Sequence, residues 1–186
     1  LWIGVYFYPM PVDLIFIVAI GYASQLAYKR KLDKKMVLPL LYPTASFVFL
    51  MTLYSEFGVM VLLWLLVIVA ATDTGAYFTG KAFGKTPFSE TSPNKTLEGV
   101  VGGMTLAVIL GTLTSINEIG VLGAIIVSAV VSLSSVFGDL YESYLKREAG
   151  VKDSGHILPG HGGILDRVDG YLFGSIVMLV LLRVII

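Results

Sequence analysis

Acidic residues occur in spaced pairs near the ends of the most apolar segments. Asp139 and Glu142 are three positions apart, and so are Asp166 and Asp169. Residues with this spacing share one face of a helix. Converging carboxylates repel each other unless a cation lies between them, and Mg²⁺ is commonly held by one or two carboxylates plus substrate phosphates. The pairs therefore predict a magnesium site, while the alternative for Asp166 and Asp169 is that they only begin a helix and favour its dipole.

A fifth carboxylate, Asp73, is embedded in an apolar run, as Asp139 is. An aspartate at the centre of a membrane helix costs about 2.5–3.5 kcal/mol on insertion scales. Each lies toward the end of its run, so two interpretations stay open. The carboxylate is functional, or it caps a neighbouring helix or pairs with a basic residue.

The polar stretch 80–99 is rich in Gly, Ser, Thr and Lys, and the stretch 152–163 combines four Gly, two His, one Lys and one Pro. Glycine lets the backbone approach an anion closely, and successive N–H groups can cradle phosphate. Many such loops are only solvated turns, and neither stretch contains the G-x-x-x-x-G-K-[ST] pattern. Beside the acidic pairs, however, they favour phosphoryl or nucleotidyl transfer onto a lipid. Candidate ligands for anionic substrates are Lys95, Lys146, Arg147, Lys152 and Arg167, and His161 is a candidate to bind phosphate or orient Asp166.

The composition indicates a membrane protein. Hydrophobic residues make up 56% of the chain and charged residues 14%, against about 25% charged in soluble domains; the mean hydropathy is +0.84. The absence of cysteine excludes disulfides and thiolate metal sites. The formal net charge is +0, and we expect no nucleic-acid partner.

A helix needs about 20 apolar residues to cross the hydrocarbon core. The chain contains about six such segments, which are Val12–Tyr28, Met36–Tyr54, Gly58–Thr79, Val100–Ile116, Gly120–Tyr144 and Gly170–Ile186. Leu1–Tyr8 resembles the tail of an earlier helix, so we expect further N-terminal helices. The predicted fold is an all-α, polytopic transmembrane bundle. Residues 1–186 form one membrane domain in this prediction, with 70–99 and 139–169 as its catalytic region.

Basic residues fall on alternate loops. Of the thirteen Lys and Arg residues, five lie in Lys29–Lys35, three in 81–97 and four in 146–168, and only Arg183 lies elsewhere. The intervening turns around Glu56 and Glu118 carry none. Because cytoplasmic loops are enriched in Lys and Arg, we expect a multi-pass protein of the inner (plasma) membrane whose polar site faces the cytoplasm.

The segment from Ser143 to Asp169 resembles the complete signature of the phosphatidate cytidylyltransferases, also called CDP-diacylglycerol synthases. The residues that carry the resemblance are Lys146, Arg147, Lys152, Asp153, Gly155, Pro159, His161, Gly162, Gly163, Asp166, Arg167 and Asp169. A second block, Asp73–Lys85 followed by Ser92–Gly99, is similar to that family's other typical segment. The similarity is closest to bacterial members of the Thermotoga type.

This resemblance implies transfer of the cytidylyl group of CTP to phosphatidate, with CDP-diacylglycerol and pyrophosphate as products. It implies Mg²⁺, a possible second cation such as K⁺, and a homodimer in the lipid bilayer. By motif position, the metal ligands are Asp139 and Asp166, followed by Asp169 and Asp73. The candidate catalytic residues are Asp139, Asp166, Asp169, His161 and Lys152, and the candidate substrate-binding residues are Asp73, Ser92, Lys95, Thr96, Lys146, Arg147 and Arg167.

Three alternatives stay open at this point. Another CTP-using lipid enzyme, such as a polyprenol or dolichol kinase or a CDP-archaeol synthase, has related chemistry, although a kinase releases CDP rather than pyrophosphate. A transporter is expected to place its acids near the bilayer midplane, whereas these acids cluster at one end. A scaffold without chemistry does not require so dense a polar signature.

Overall fold

The structure, a computed structural model, describes residues 20–21, 23–24, 40–155 and 162–186. Within these residues a π-helical turn at Leu40–Ala45 is followed by α1 (Ser46–Phe83), α2 (Leu97–Glu148) and α3 (Leu165–Ile185). The prediction of an all-α fold is confirmed. Nearly all of the predicted span Val12–Tyr28, together with Lys29–Lys35 and His161, lies outside the described residues.

All three helices are long and apolar enough to cross a membrane. The lengths of α1 and α2, 38 and 52 residues, exceed what one crossing requires, which is about 20 residues. Each contains one glycine with non-helical backbone, Gly58 at φ 80° and Gly120 at φ 73°. Glycine adopts positive φ readily because it has no Cβ, so these two positions can break an otherwise continuous helix.

The chain reverses direction at both glycines. A Cβ built on Gly111 would lie 2.9 Å from the Cβ of Ser128, although a continuous helix would hold these residues about 25 Å apart. Tyr42 and Asp73, on either side of Gly58, both lie near the part of α2 that contains Asp139 and Tyr141. The ring of Tyr42 contacts that of Tyr141, and Asp73 interacts electrostatically with Asp139. Residues 40–155 and 162–186 thus contain five helical segments of alternating direction, 46–57, 59–83, 97–119, 121–148 and 165–185.

Several predicted spans coincide with these segments. Gly58–Thr79, Val100–Ile116 and Gly120–Tyr144 correspond to segments 59–83, 97–119 and 121–148. The predicted apolar span Gly170–Ile186 coincides with most of α3, which begins at Leu165. Asp166 and Asp169 therefore lie at the start of the last helix, where the sequence placed them. The total of six membrane helices stays a prediction, since part of the chain lies outside the described residues.

Segments 59–83 and 97–119 approach each other through glycine. A Cβ on Gly75 would lie 2.9 Å from the Cα of Gly103, and a Cβ on Gly99 would lie 2.9 Å from the carbonyl oxygen of Ala76. No side chain fits in these gaps, so the two backbones are in direct contact. Gly99 and Gly103 form the G-x-x-x-G spacing that permits such packing in membranes.

An apolar core continues away from this contact. Leu65, Ile68, Val127, Val131, Met178 and Leu179 are fully buried and belong to one cluster. These residues come from α1, α2 and α3, so all three helices share the core. This packing fixes the relative positions of the polar residues at the end of the bundle where Asp73, Asp139 and Asp169 lie, which we call the acidic end.

Candidate active site

The loop between α1 and α2, residues 84–96, is held in a defined shape. The N–H of Phe88 donates to the carbonyl of Lys95 at 2.8 Å. Glu98, in the first turn of α2, accepts hydrogen bonds from the N–H groups of Lys85 and Thr86 (3.1 and 3.2 Å) and from the hydroxyl of Thr86 (2.9 Å). One carboxylate therefore fastens the start of the loop to α2.

Three carboxylates from three helical segments meet beside this loop. Asp139 forms an ion pair with Lys95 and accepts a long hydrogen bond, 3.4 Å, from the hydroxyl of Ser143. Asp73 and Asp169 are close enough for their charges to interact with each other and with Asp139. Asp73 from the first sequence block and Asp169 from the second thus both lie near Asp139.

Lys146 joins two further carboxylates. Its ammonium donates to Oδ1 of Asp166 at 2.7 Å and forms an ion pair with Glu142. Glu142 is only 1% exposed, and neither of its carboxylate oxygens accepts a well-directed hydrogen bond from the described residues. Since a buried charge is costly unless it is paired, Lys146 is the counter-charge on which the ionised form of Glu142 depends.

Asp166 also binds both described ends of the polar stretch 152–163. Its Oδ2 accepts hydrogen bonds from the N–H and hydroxyl of Ser154 (2.9 and 2.8 Å) and from the N–H of Gly163 (2.7 Å). A Cβ on Gly162 would lie 2.8 Å from the same oxygen, so a glycine is needed there to admit the carboxylate. Asp166 fixes this loop to the start of α3.

A cavity of about 500 Å³ opens between α1 and α2 beside the pair of Asp139 and Lys95, and we call it the first cavity. Asp73, Lys81 and Asn94 supply further polar lining, while Ala76, Val100 and Val136 supply apolar lining. Charged and apolar surfaces therefore adjoin within one cavity. A ligand that carries a phosphate group on an apolar chain requires this combination of surfaces.

The remaining predicted residues have varied surroundings. The hydroxyl of Thr96 caps α2 by accepting from the N–H of Gly99 at 3.2 Å. The carbonyl of Ser92 accepts from the N–H of Lys95 at 3.0 Å. The side chains of Arg147, Lys152 and Arg167 are exposed, and Arg147 donates to the carbonyl of Val151 at 3.4 Å.

Glu98 was not among the predicted site residues, and Glu142 was predicted only as the partner of Asp139 in an acidic pair, without its contact to Lys146. Glu98 acts on residues 12 and 13 positions away, a contact that no local pattern encodes. For Glu142 a signal was present, because Lys146 follows it by four positions and opposite charges with that spacing pair on a helix.

Comparison with known proteins identifies the family. Residues 5–185 match the model of the cytidylyltransferase family. The chain belongs to this family. A phosphatidate cytidylyltransferase of Helicobacter pylori (strain J99) is 50% identical over 183 residues, which cover 97% of this chain and 69% of the relative. The resemblance inferred from the two sequence blocks is therefore confirmed.

Other relatives share less of their length with this chain. A phosphatidate cytidylyltransferase of Thermotoga maritima is 42% identical over 156 residues, 78% of this chain and 57% of the relative. One from Bacillus subtilis is 44% identical over 123 residues, 64% of this chain and 46% of the relative. The similarity to these two relatives thus involves about half of each relative's length.

The carboxylate oxygens of this cytidylyltransferase-family site are of the type that hard divalent cations prefer. No group of three acidic or histidine side chains is arranged to hold a metal ion within the described residues. Mg²⁺ nevertheless needs only one or two carboxylates, because water and substrate phosphates complete its shell. Asp139 and Asp166, the predicted ligands, supply such oxygens, and each is paired with a lysine.

Proposed function

We propose that this chain transfers the cytidylyl group of CTP to phosphatidate, giving CDP-diacylglycerol and pyrophosphate. The convergence of the two sequence blocks is the observation that carries the proposal. The charges of Asp73 and Asp169, one from each block, interact, and Lys95 from the first block pairs with Asp139, which lies just before the second block. The names of the relatives support the same reaction.

The reaction requires little covalent chemistry from the protein. A phosphate oxygen of phosphatidate attacks the α-phosphorus of CTP in line. The new P–O bond forms while the bond between the α-phosphorus and the oxygen leading to the β-phosphate breaks, and pyrophosphate leaves with that electron pair. Because both reactants are anions, catalysis depends on positioning and on neutralising charge.

Basic residues at the acidic end are suited to that task. Lys95 lines the first cavity and Lys146 lies beside Asp166, so we assign both to the substrate phosphates. The N–H groups of Ser154 and Gly163 hold Asp166 in place. Mg²⁺ bound by Asp139 and Asp166, with a second cation such as K⁺, would supply the positive charge that offsets the triphosphate.

The proposal includes a cellular setting. We place the chain as a multi-pass protein of the inner (plasma) membrane, with the acidic end facing the cytoplasm, and as a homodimer. The distribution of Lys and Arg supports this orientation. Loop 84–96, the end of α2 and the start of α3 all lie at the acidic end, which is consistent with a single catalytic face in contact with cytoplasmic CTP.

Product analysis tests the reaction. The purified full-length protein, in vesicles containing phosphatidate, should convert CTP and Mg²⁺ into equal amounts of CDP-diacylglycerol and pyrophosphate, and EDTA should stop it. Asp139→Asn should lower turnover by about a hundredfold or more, as loss of a key electrostatic group does. Glu118→Gln, at the opposite end, is the matched control and should stay active. Release of CDP, or no turnover by the wild type, would refute the proposal.

A further inference from the structure

A second cavity lies on the other side of loop 84–96. It also measures about 500 Å³ and is bounded by the loop tip, residues 90–94, and by Tyr144 and Arg147 from the end of α2. Asn94 lines both cavities, so the two cavities adjoin at the loop tip. Most side chains that line this second cavity are polar, with hydroxyl, amide, carboxylate and guanidinium groups. One proline and one aromatic ring complete the lining.

We propose that the second cavity binds the cytidine of CTP, and that the first cavity receives the phosphate end of phosphatidate. This inference rests on the proposed function and deepens it. Each cavity suits one substrate, because the first cavity adds the aliphatic side chains of Ala76, Val100 and Val136 to its charged lining, as a lipid needs. The second cavity matches a nucleoside, because its base is flat and carries polar groups along its edges.

The lining of the second cavity matches the chemistry of cytosine. The side chain of Tyr144 is 46% exposed, and an aromatic ring on this wall provides a face on which a base can stack. The amide of Asn94 contains both a donor and an acceptor, and the hydroxyl of Ser92 can act as either. Cytosine presents an amino donor beside two acceptors, so these groups complement its edge.

The position of the cavity also suits the reaction. Asn94 directly precedes Lys95, which is paired with Asp139, and Arg147 directly follows Lys146, which is paired with Asp166. A nucleoside bound between Asn94 and Arg147 would therefore touch residues that adjoin both lysines in the chain. Its triphosphate can extend past the loop tip toward the first cavity, where the lipid phosphate would meet the α-phosphorus.

Local contacts restrain the loop beside the second cavity. The N–H of Thr91 donates to the hydroxyl of Ser89 at 3.2 Å, and the ring of Phe88 packs against Phe137 with centroids 6.3 Å apart. Groups that are already ordered bind a ligand without a large loss of conformational entropy. The loop tip can thus recognise the base edge as a preformed surface.

Steady-state kinetics of the full-length protein in phosphatidate vesicles test the assignment. Tyr144→Ala should raise KM for CTP about fivefold or more, the effect of losing a stacking partner, and should leave KM for phosphatidate unchanged. Tyr144→Phe keeps the ring and should restore KM for CTP. Asn94→Ala should reduce the preference for CTP over UTP. Tyr54→Ala removes a tyrosine of similar exposure, 48%, from the helix before Gly58, and should change neither KM.

The outcomes separate this assignment from the proposed function. An unchanged KM for CTP in both Tyr144→Ala and Asn94→Ala would overturn the assignment, as would a rise confined to KM for phosphatidate. Equilibrium binding of CTP to wild type and Tyr144→Ala gives a readout that does not need turnover. Weaker CTP binding by Tyr144→Ala supports the cavity even if the wild type forms no CDP-diacylglycerol, a result that would refute only the reaction.

Discussion

Lys146 lies between two carboxylates that differ sharply in their surroundings. Asp166 also accepts hydrogen bonds from Ser154 and Gly163, so its charge is stabilised by several donors. Glu142 is almost fully buried and has Lys146 as its ion-pair partner. Removal of one partner from a buried pair is more damaging than removal of both, because it leaves an uncompensated charge.

Lys146→Met is therefore expected to lower the free energy of unfolding by about 3 kcal/mol. Adding Glu142→Leu should recover most of this loss, since the buried carboxylate is then gone. Denaturant titration in detergent micelles measures both values. The double variant should regain stability but not cytidylyltransferase activity, because the proposed phosphate ligand Lys146 is still missing.

An exposed ion pair at the other end of the bundle provides the control. Arg183 and Glu56 form an ion pair in which the side chains are 47% and 38% exposed, so Arg183→Met should cost less than about 1 kcal/mol. Equal destabilisation in Lys146→Met and in the double variant would contradict the coupling between Lys146 and Glu142.

At the level of whole elements, the site depends on how closely segments 59–83 and 97–119 pack. The hydroxyl of Thr79 donates to the carbonyl of Gly75 at 2.6 Å and also reaches the carbonyl of Gly99 at 3.3 Å, which bridges the two backbones. Asp73 precedes this contact and loop 84–96 follows it along the chain. A change in the spacing of the helices would therefore displace both sides of the first cavity.

Gly103→Ala is expected to destabilise the bundle by about 1–3 kcal/mol, the usual effect of overpacking. The added Cβ would lie 3.1 Å from the Cβ of Ala76 and closer still to the carbonyl oxygen of Thr72. Gly123→Ala is the control, because a Cβ there meets only the flexible side chain of Ile119, at 3.3 Å. Thermal unfolding in detergent compares the two, and equal midpoints would contradict the role assigned to the glycine contact.

Apolar length and the i, i+3 spacing of acids were sufficient to predict the long helices and the shared face of Asp139 and Glu142. They were not sufficient to predict which acid is buried. Asp139 pairs with Lys95 and Glu142 with Lys146, and this division depends on how α2 packs against the loop and α3. Contacts between residues far apart in the chain also explain why the clamp formed by Glu98 was missed.

For the molecule as a whole, the two ends of the bundle differ in chemistry. Among the residues that the structure describes, the acidic end carries both cavities and the paired lysines, whereas the other end contains the reversals at Gly58 and Gly120 and the pair of Glu56 and Arg183. The sequence pattern of Lys and Arg predicted this polarity because it follows from local composition. It gave no information on the cavities, which exist only once helices have packed.

The proposed orientation can be measured directly because the chain contains no cysteine. Lys85→Cys, at an exposed position of loop 84–96, should react with a membrane-impermeant maleimide in inside-out vesicles but not in intact cells. Glu118→Cys, close to the reversal at Gly120, should show the opposite pattern. Labelling of both residues from the same side would refute the orientation.

The reversals at Gly58 and Gly120 bear on how such a chain enters a membrane. Each reversal is completed at a single residue, so each pair of helices can insert as a hairpin with a very short tip. In the proposed orientation, the groups that must be carried across the lipid at these tips include little more than Glu56, Asn117 and Glu118. The polar loops at the acidic end remain on the side where the ribosome releases them, and assembly of the site needs no translocation step.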